Sequence, residues 1–252
     1  EKLSSGKRIN KAADDAAGLA ISQKMDAQIR GLRQASRNGL DGISLIQTAE
    51  GALNEVHDML QRMRELSVQG ANGIYEEGKE GDLKAIANEL KELTEQIDKI
   101  GKDTTFNGIY LLRGDLEGKT EETEDSKLRL HIGSNEGEYI EIDMKEINIR
   151  VGSKDNDEKL GILNDIVIEG DKDGKFKVDE EALKAENFED AITIYDDAIR
   201  KVASHRSKLG AYQNRLEYTI KNLDNTAENL TAAKSRIEDA DMAIEMSEFV
   251  KL

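Results

Sequence analysis

The sequence predicts a mainly α-helical protein with a small β part: an elongated antiparallel helical bundle, or coiled-coil rod, with β-hairpins inserted before a long C-terminal helix. Three observations carry this. Two long stretches and one shorter one repeat apolar residues in 3-4 alternation, the period of a helical seam. The chain of 252 residues contains no proline, so nothing in those stretches removes a backbone donor or clashes with the preceding turn. Between the second and third stretches the apolar period drops to two, the period of a strand.

The first helix opens at Asp14 or Asp15, either of which can cap it. Its predicted seam runs through Met25, Ile29, Leu32, Ser36, Gly39, Ile43, Ile46, Ala49, Leu53, Val56, Leu60 and Met63, and Gly70 and Gly73 supply the stop. Gly18, Gly31, Gly39, Gly42 and Gly51 lie inside it, each costing ~1 kcal/mol relative to alanine. Close approach by a neighbouring helix is the expected offset. A shorter helix follows, with Leu83, Ile86, Leu90, Leu93, Ile97 and Ile100 as its stripe and Gly101 as its end.

Leu128, Leu130 and Ile132 alternate on one side of a Ser-Asn-Glu-Gly turn, with Ile140 and Ile142 on the other, which predicts a hairpin that Ile147, Ile149 and Val151 extend. Ile166 and Ile168, then Phe176 and Val178, flank Asp173-Gly174 and predict a second. Glu169, Asp171, Asp173, Gly174, Phe176 and Glu180 also fall at calcium-loop spacing. Glutamate in place of the usual first aspartate, together with two intervening lysines, favours the ordinary hairpin. Residues 115–126 are charged and read as a loop.

The last helix has the longest seam: Tyr195, Ala198, Val202, His205, Leu209, Tyr212, Leu216, Thr219, Leu223, Thr226, Leu230, Ala233, Ile237, Ala240 and Ile244. The expected organisation is residues 1–112 as the N-terminal helical part, 113–184 as an acidic β segment, and 185–252 as the long helix of the same domain. The ends read as those of a segment from a longer chain.

Composition narrows function. Aromatic residues make up 4% and charged residues 35%, which suits a thin helical core. The net charge is -16, and residues 115–190 hold 24 acidic and 11 basic side chains, so the acid is concentrated in the middle. Such a chain repels nucleic acid. No apolar run reaches the ~20 residues that span a bilayer, so no membrane insertion is expected. Without cysteine there is no disulfide framework or thiolate nucleophile. His57, His131 and His205 are scattered, and glycine-rich phosphate loops and nucleophile elbows are missing, so no catalytic residue, cofactor or metal is expected. His205 occupies a seam slot, where a bond to the partner helix is expected. Arg62, Leu66 and Gln69 share a helical face away from Leu60 and Met63, where an apolar residue between polar neighbours reads either as a contact anchor or, as patterning alone favours, as a widening of the core stripe.

Longer segments carry a resemblance. KLSSGKRINKAADDAAGLAIS at 2–22 resembles the start of the bacterial flagellin core, and ASRNGLDGISLIQTAEGALNEVHDMLQRMRELSVQGAN at 35–72 its signature first helix. TTFNG at 104–108 resembles the family's helix-to-hairpin junction, LRLHIGSNEGEYIEI at 128–142 one of its hairpins, and LGAYQNRLEYTIKNL at 209–223 and SRIEDADMAIEMS at 235–247 its long C-terminal helix. The resemblance implies a non-enzymatic filament subunit that packs with other flagellin subunits. It implies handling by an export chaperone and the flagellar type III export apparatus, and an extracellular place in the flagellum. It also implies recognition by the vertebrate Toll-like receptor 5, with Arg62, Leu66 and Glu89 as principal contacts and Gln69, Ile86 and Arg215 beside them. A hook-filament junction protein, a secreted coiled-coil adhesin and an enzyme inserted in the variable region are the competing readings. The first lacks the density of motifs at 35–72, the second lacks the motifs, and the third needs more chain than 113–184.

Overall fold

The computed structural model describes residues 6–11, 13–75, 81–114, 127–153, 159–170, 175–240 and 246. Three helices dominate: α1 (Ala16–Gly70), α2 (Asp82–Asp103) and α3 (Ala185–Glu238). Six short strands follow α2 in the chain: β1 (Thr105–Phe106), β2 (Ile109–Tyr110), β3 (Lys127–His131), β4 (Tyr139–Asp143), β5 (Val167–Glu169) and β6 (Phe176–Val178). They pair in sequence order as three two-stranded sheets. The mainly α class with inserted hairpins is therefore what the chain adopts.

The residues sort into two compact units, each built from separated segments, and α1 and α3 contribute to both. The first comprises Glu1–Ile43, Arg129–Ile140 and Asn214–Leu252. Asp15 caps α1, its Oδ1 accepting the Gly18 N–H at 2.9 Å. Asp14 instead ties down the preceding turn through the Asn10 and Lys11 amides. Here α1 and α3 run antiparallel, since Asp26 meets Lys234 while Gly39 faces Ile220 and Gly42 faces Leu216. Of the five glycines, Gly39 is the one pressed chiefly against a neighbouring helix: a Cβ there would lie 2.8 Å from Ile220 Cγ1. Gly31 and Gly42 accommodate the β3–β4 hairpin instead, through Ser134 and Leu130, while nothing crowds Gly51.

The second unit comprises Ser44–Leu128 and Glu141–Gln213. Again α1 and α3 run antiparallel, with Glu50 near Arg206, Arg64 on Asp196, and Gly70 under the Phe188 ring. A Cβ at Gly70 would collide with that ring, so the residue that ends α1 is also a packing glycine. Helix α2 packs on β5 and β6, and Lys84 meets Glu180 at 3.0 Å. β1 and β2 close through Asn107 and Gly108, both at positive φ (50° and 81°), as a two-residue hairpin of that kind demands.

Several seam positions differ from expectation by one residue. In α1, Ala35 and Gly42 are buried where Ser36 and Ile43 are half-buried, making 32-35-39-42-46-49-53-56-60-63 an unbroken 3-4 series. In α2, Thr94 is fully buried rather than Leu93, its hydroxyl satisfied by Leu90 O at 2.8 Å. Helix α2 does not end at Gly101; it runs to Asp103, with Gly101 lying against Ile149 and Thr104 closing the last turn on Ile100 O. In α3, Ala227 replaces Thr226, as expected when 3.6 residues per turn drift against a 3.5 repeat. That helix stops at Glu238, so Ala240 is not in the seam, and Ile244 lies outside the described residues.

The hairpins at 128–142 and 166–178 are present, with two corrections. Ile147, Ile149 and Val151 are buried but form no strand; the Ile149 amide bonds Leu112 O at 3.0 Å and the Val151 amide bonds Asp98 Oδ1 at 3.4 Å. In the second hairpin Val167 pairs with Val178 and is fully buried, whereas Ile168 pairs with Lys177 and is 40% exposed. Glu169 sits opposite Phe176 in that ladder and Glu180 bonds Lys84, so both are placed as hairpin and surface residues. Asp171, Asp173 and Gly174 lie outside the described residues.

Candidate functional site

The residues singled out for recognition cluster where the last turns of α1 meet the first turns of α2, in the second unit. Arg62 and Glu89 leave their helices away from the apolar series and meet each other: Arg62 Nε donates to Glu89 Oε1 at 2.9 Å, with both side chains about half exposed (50% and 46%). Glu65, one turn on, adds a second carboxylate at 3.5 Å. The Glu89 hydrogen bond holds the Arg62 proton more firmly than in a free arginine. Arg64 is separately engaged with Asp196 on α3 at 2.6 Å. Gln69 is exposed and its amide donates to the Tyr75 hydroxyl at 3.3 Å.

Leu66 and Ile86 are not on this surface. Leu66 is 2% exposed and Ile86 7%, both inside the apolar core. The expectation that Leu66 stands off the Leu60/Met63 seam is corrected: three residues after Met63, it continues that seam. The apolar side chains that do face solvent nearby are Val68 (50% exposed) and Ile74 (79%). The signal in the sequence for Val68 is an apolar residue out of phase with the 3-4 series, whereas Ile74 follows the end of α1. Arg215 is exposed and belongs to the first unit.

Elsewhere the polar interior is sparse. His205 has no hydrogen bond from its buried Nδ1, contrary to the expected bond to the partner helix. Burial, reinforced by Lys208 and Lys201 and opposed by Glu146, pushes its imidazole down to about 4. The Tyr195 phenol is fully buried, accepts a bond from the Asn164 amide at 2.8 Å, and is pushed well above its ordinary range by desolvation. In the first unit Glu238 is 7% exposed and receives the Ser22 hydroxyl and the Lys7 ammonium, which hold its carboxyl below the ordinary range. The backbone amides of Arg8 and Ile9 bond Glu238 O, and Ala240 N bonds Gly6 O. The segment around Lys7 is thereby fastened to the end of α3. Sequence reading missed this cluster because its members are up to 231 positions apart.

Chemically the described surface offers ion pairs and exposed apolar side chains. Among the described residues no three His, Asp or Glu side chains gather as a metal site, and no helix is long and apolar enough to cross a membrane.

Comparison with known proteins agrees with the fold and with the motifs. Residues 1–116 match the family model described as the bacterial flagellin N-terminal helical region, and residues 192–252 match the bacterial flagellin C-terminal helical region. The flagellin of Bacillus subtilis (strain 168) is 49% identical over 254 residues, covering 100% of this chain and 82% of that protein. The chain belongs to the bacterial flagellin family. The flagellar filament 33 kDa core protein of Treponema phagedenis is 44% identical over 254 residues, with 100% of this chain and 81% of that protein covered. Among solved structures, Bacillus cereus flagellin superposes with a TM-score of 0.52 at 25% identity, over 79% of this chain and 94% of that one. A putative flagellar hook-associated protein from Vibrio parahaemolyticus gives a TM-score of 0.64 over 90% of this chain and 100% of that one. At 14% identity that likeness speaks for the shared flagellin-like fold alone.

Proposed function

We propose that this flagellin is a structural, non-catalytic subunit of a bacterial flagellar filament. On this reading it packs with further copies of itself outside the cell, after passage through the type III export apparatus with an export chaperone. The carrying observation is the 44% identity to a protein named as a filament core protein, across the whole chain. The two helical regions matched by flagellin family models are also those that hold most of the described helix.

The finer reading is that the α1–α2 face is recognised by Toll-like receptor 5. The Arg62–Glu89 pair supports it: a planar arginine fork and a carboxylate, both half exposed and held in fixed geometry, give a partner a preorganised polar contact. Gln69 adds an exposed polar group to this face, Arg215 is an exposed polar group of the first unit, and Leu66 and Ile86 act from beneath by fixing the helices. Receptor binding and reporter activation by the wild type, Arg62→Ala, Glu89→Ala, Leu66→Ala and Arg215→Ala test this. Arg62→Ala and Glu89→Ala each lose ~2 kcal/mol or more of affinity. Because Arg62 and Glu89 are bonded to each other, the double variant loses less than the sum. Helicity stays unchanged in both, since exposed ion pairs contribute ~0–1 kcal/mol. Leu66→Ala loses stability together with affinity. Equal binding by the wild type and both charge variants removes the receptor face and leaves the filament reading standing.

A further inference from the structure

Three Asn-Gly pairs share one dipeptide chemistry in very different surroundings: Asn38-Gly39, Asn72-Gly73 and Asn107-Gly108. We propose that Asn72-Gly73 is a self-modification site, at which this protein converts an asparagine to aspartate or isoaspartate without any enzyme, while its fold protects the other two pairs. The reaction needs only the chain and water. The Gly73 backbone nitrogen attacks Asn72 Cγ and gives up its proton as the side-chain amide leaves as ammonia, closing a succinimide. Water then opens one of the two imide C–N bonds, giving either a normal or an isoaspartyl linkage. A following glycine speeds closure because no Cβ obstructs the approach. Closure also requires the asparagine's backbone to swing away from helical or paired geometry.

The three sites differ in that last requirement. Asn38 lies deep inside α1, and its amide donates to His131 O at 3.0 Å, so both the backbone and the leaving group are held. Asn107 is fixed at φ 50° between the paired strands β1 and β2. Reaction at either site waits for local opening of a hydrogen-bonded element. Asn72 comes two residues after α1 has ended, exposed, in a turn held by Asn72 N to Gln69 O at 3.1 Å and Tyr75 N to Asn72 O at 3.3 Å. Gly73 is exposed as well, and nothing lies within 4 Å of where its Cβ would be. The new carboxylate forms just past the C-terminal end of α1, where the helix dipole disfavours negative charge, and so loosens the turn that joins Gln69 to Tyr75.

The three asparagines fall in separate tryptic peptides, at 38–62, 65–79 and 103–113, which makes the ranking measurable by mass spectrometry after incubation of the folded protein at mildly alkaline pH. Asn72 converts faster than Asn38 and Asn107 by about tenfold or more, because those two must open a helix or a paired hairpin and Asn72 only a single exposed turn. In urea the three rates converge. Gly73→Ala, which the open space at Gly73 accommodates, slows the 65–79 peptide and leaves the other two unchanged. The proposal is overturned if Asn72 in the folded protein converts no faster than the other two. It is equally overturned if the ranking survives unfolding, or if Gly73→Ala leaves the rate at Asn72 unaltered.

Discussion

The two units are built on the same pair of antiparallel helices yet are held together differently. In the second, α1 and α3 are joined by α2 and the β1–β2 and β5–β6 hairpins, and the core fills with large side chains such as Leu53, Leu60, Met63, Phe188 and Tyr195, all fully buried. In the first, one core cluster consists of Leu32, Ala35, Leu223 and Ala227, with Leu230 half-buried against it. Glycines at 39 and 42 bring neighbours close, and charged groups do work that apolar volume does elsewhere: Glu238 with Lys7 and Ser22, and Asp26 with Lys234. A helix pair covered by one short hairpin buries a narrow stripe, so its side chains must be small and its edges stapled. A third layer allows bulk.

The largest expected contrast follows from that bulk. Leu60→Ala opens a cavity in a core with neighbours on every side and costs ~3–4 kcal/mol, whereas Leu223→Ala, in a thinner cluster that can collapse, costs ~2 kcal/mol. Site-resolved hydrogen exchange reads each unit separately. Equal losses would mean that the first unit is as fully packed as the second.

Acid should loosen the two units at different pH. His205 is depressed to about 4 in the folded protein from an ordinary value of 6.5, so between those values the unfolded chain binds the extra proton. Its contribution is fully present above 6.5 and falls away as pH drops towards 4, at a cost on the order of 2 kcal/mol. Glu238 is also depressed, by Lys7 and Ser22, from an ordinary 4.5. Its contribution is present above 4.5 and is lost only as pH falls through the lower folded value. Protection in the second unit therefore declines first. His205→Leu flattens that decline and leaves the first unit's acid transition in place, while Glu238→Gln does the reverse. A single common transition, unmoved by either substitution, would break the contrast.

The smallest effects concern glycines. Gly51→Ala gains about 1 kcal/mol from helix propensity because nothing occupies the space. Gly39→Ala must displace Ile220, and overpacking of ~1–3 kcal/mol outweighs the same gain. Thermal or urea unfolding with opposite signs for the two variants supports the packing role; a gain in both removes it.

Much of this was legible in the sequence, and the misses share causes. Helices, hairpins and the 3-4 repeat follow from period alone, as Leu53 through Met63 illustrate. Seam slots held by small or polar residues were misread, because apolar scoring prefers Ile43 to Gly42 and Leu93 to Thr94, although packing prefers the reverse. Leu66 was misplaced for a related reason: a stripe wider than two positions per heptad absorbs a residue that looks like an outlier. The Arg62–Glu89 pair combines a residue legible as off-seam, Arg62, with one named only through the resemblance, and their meeting depends on how α1 and α2 cross, which no local pattern encodes. Glu238 with Lys7 was invisible because its partners lie at opposite ends of the chain.

The most direct test of the central claim is electron microscopy of a flagellin-deficient bacterium expressing the gene that encodes this chain, with the product labelled by antibody. Long extracellular filaments decorated along their whole length are the predicted result. Label confined to a short segment at the hook, or product found only free in the medium, would contradict the account.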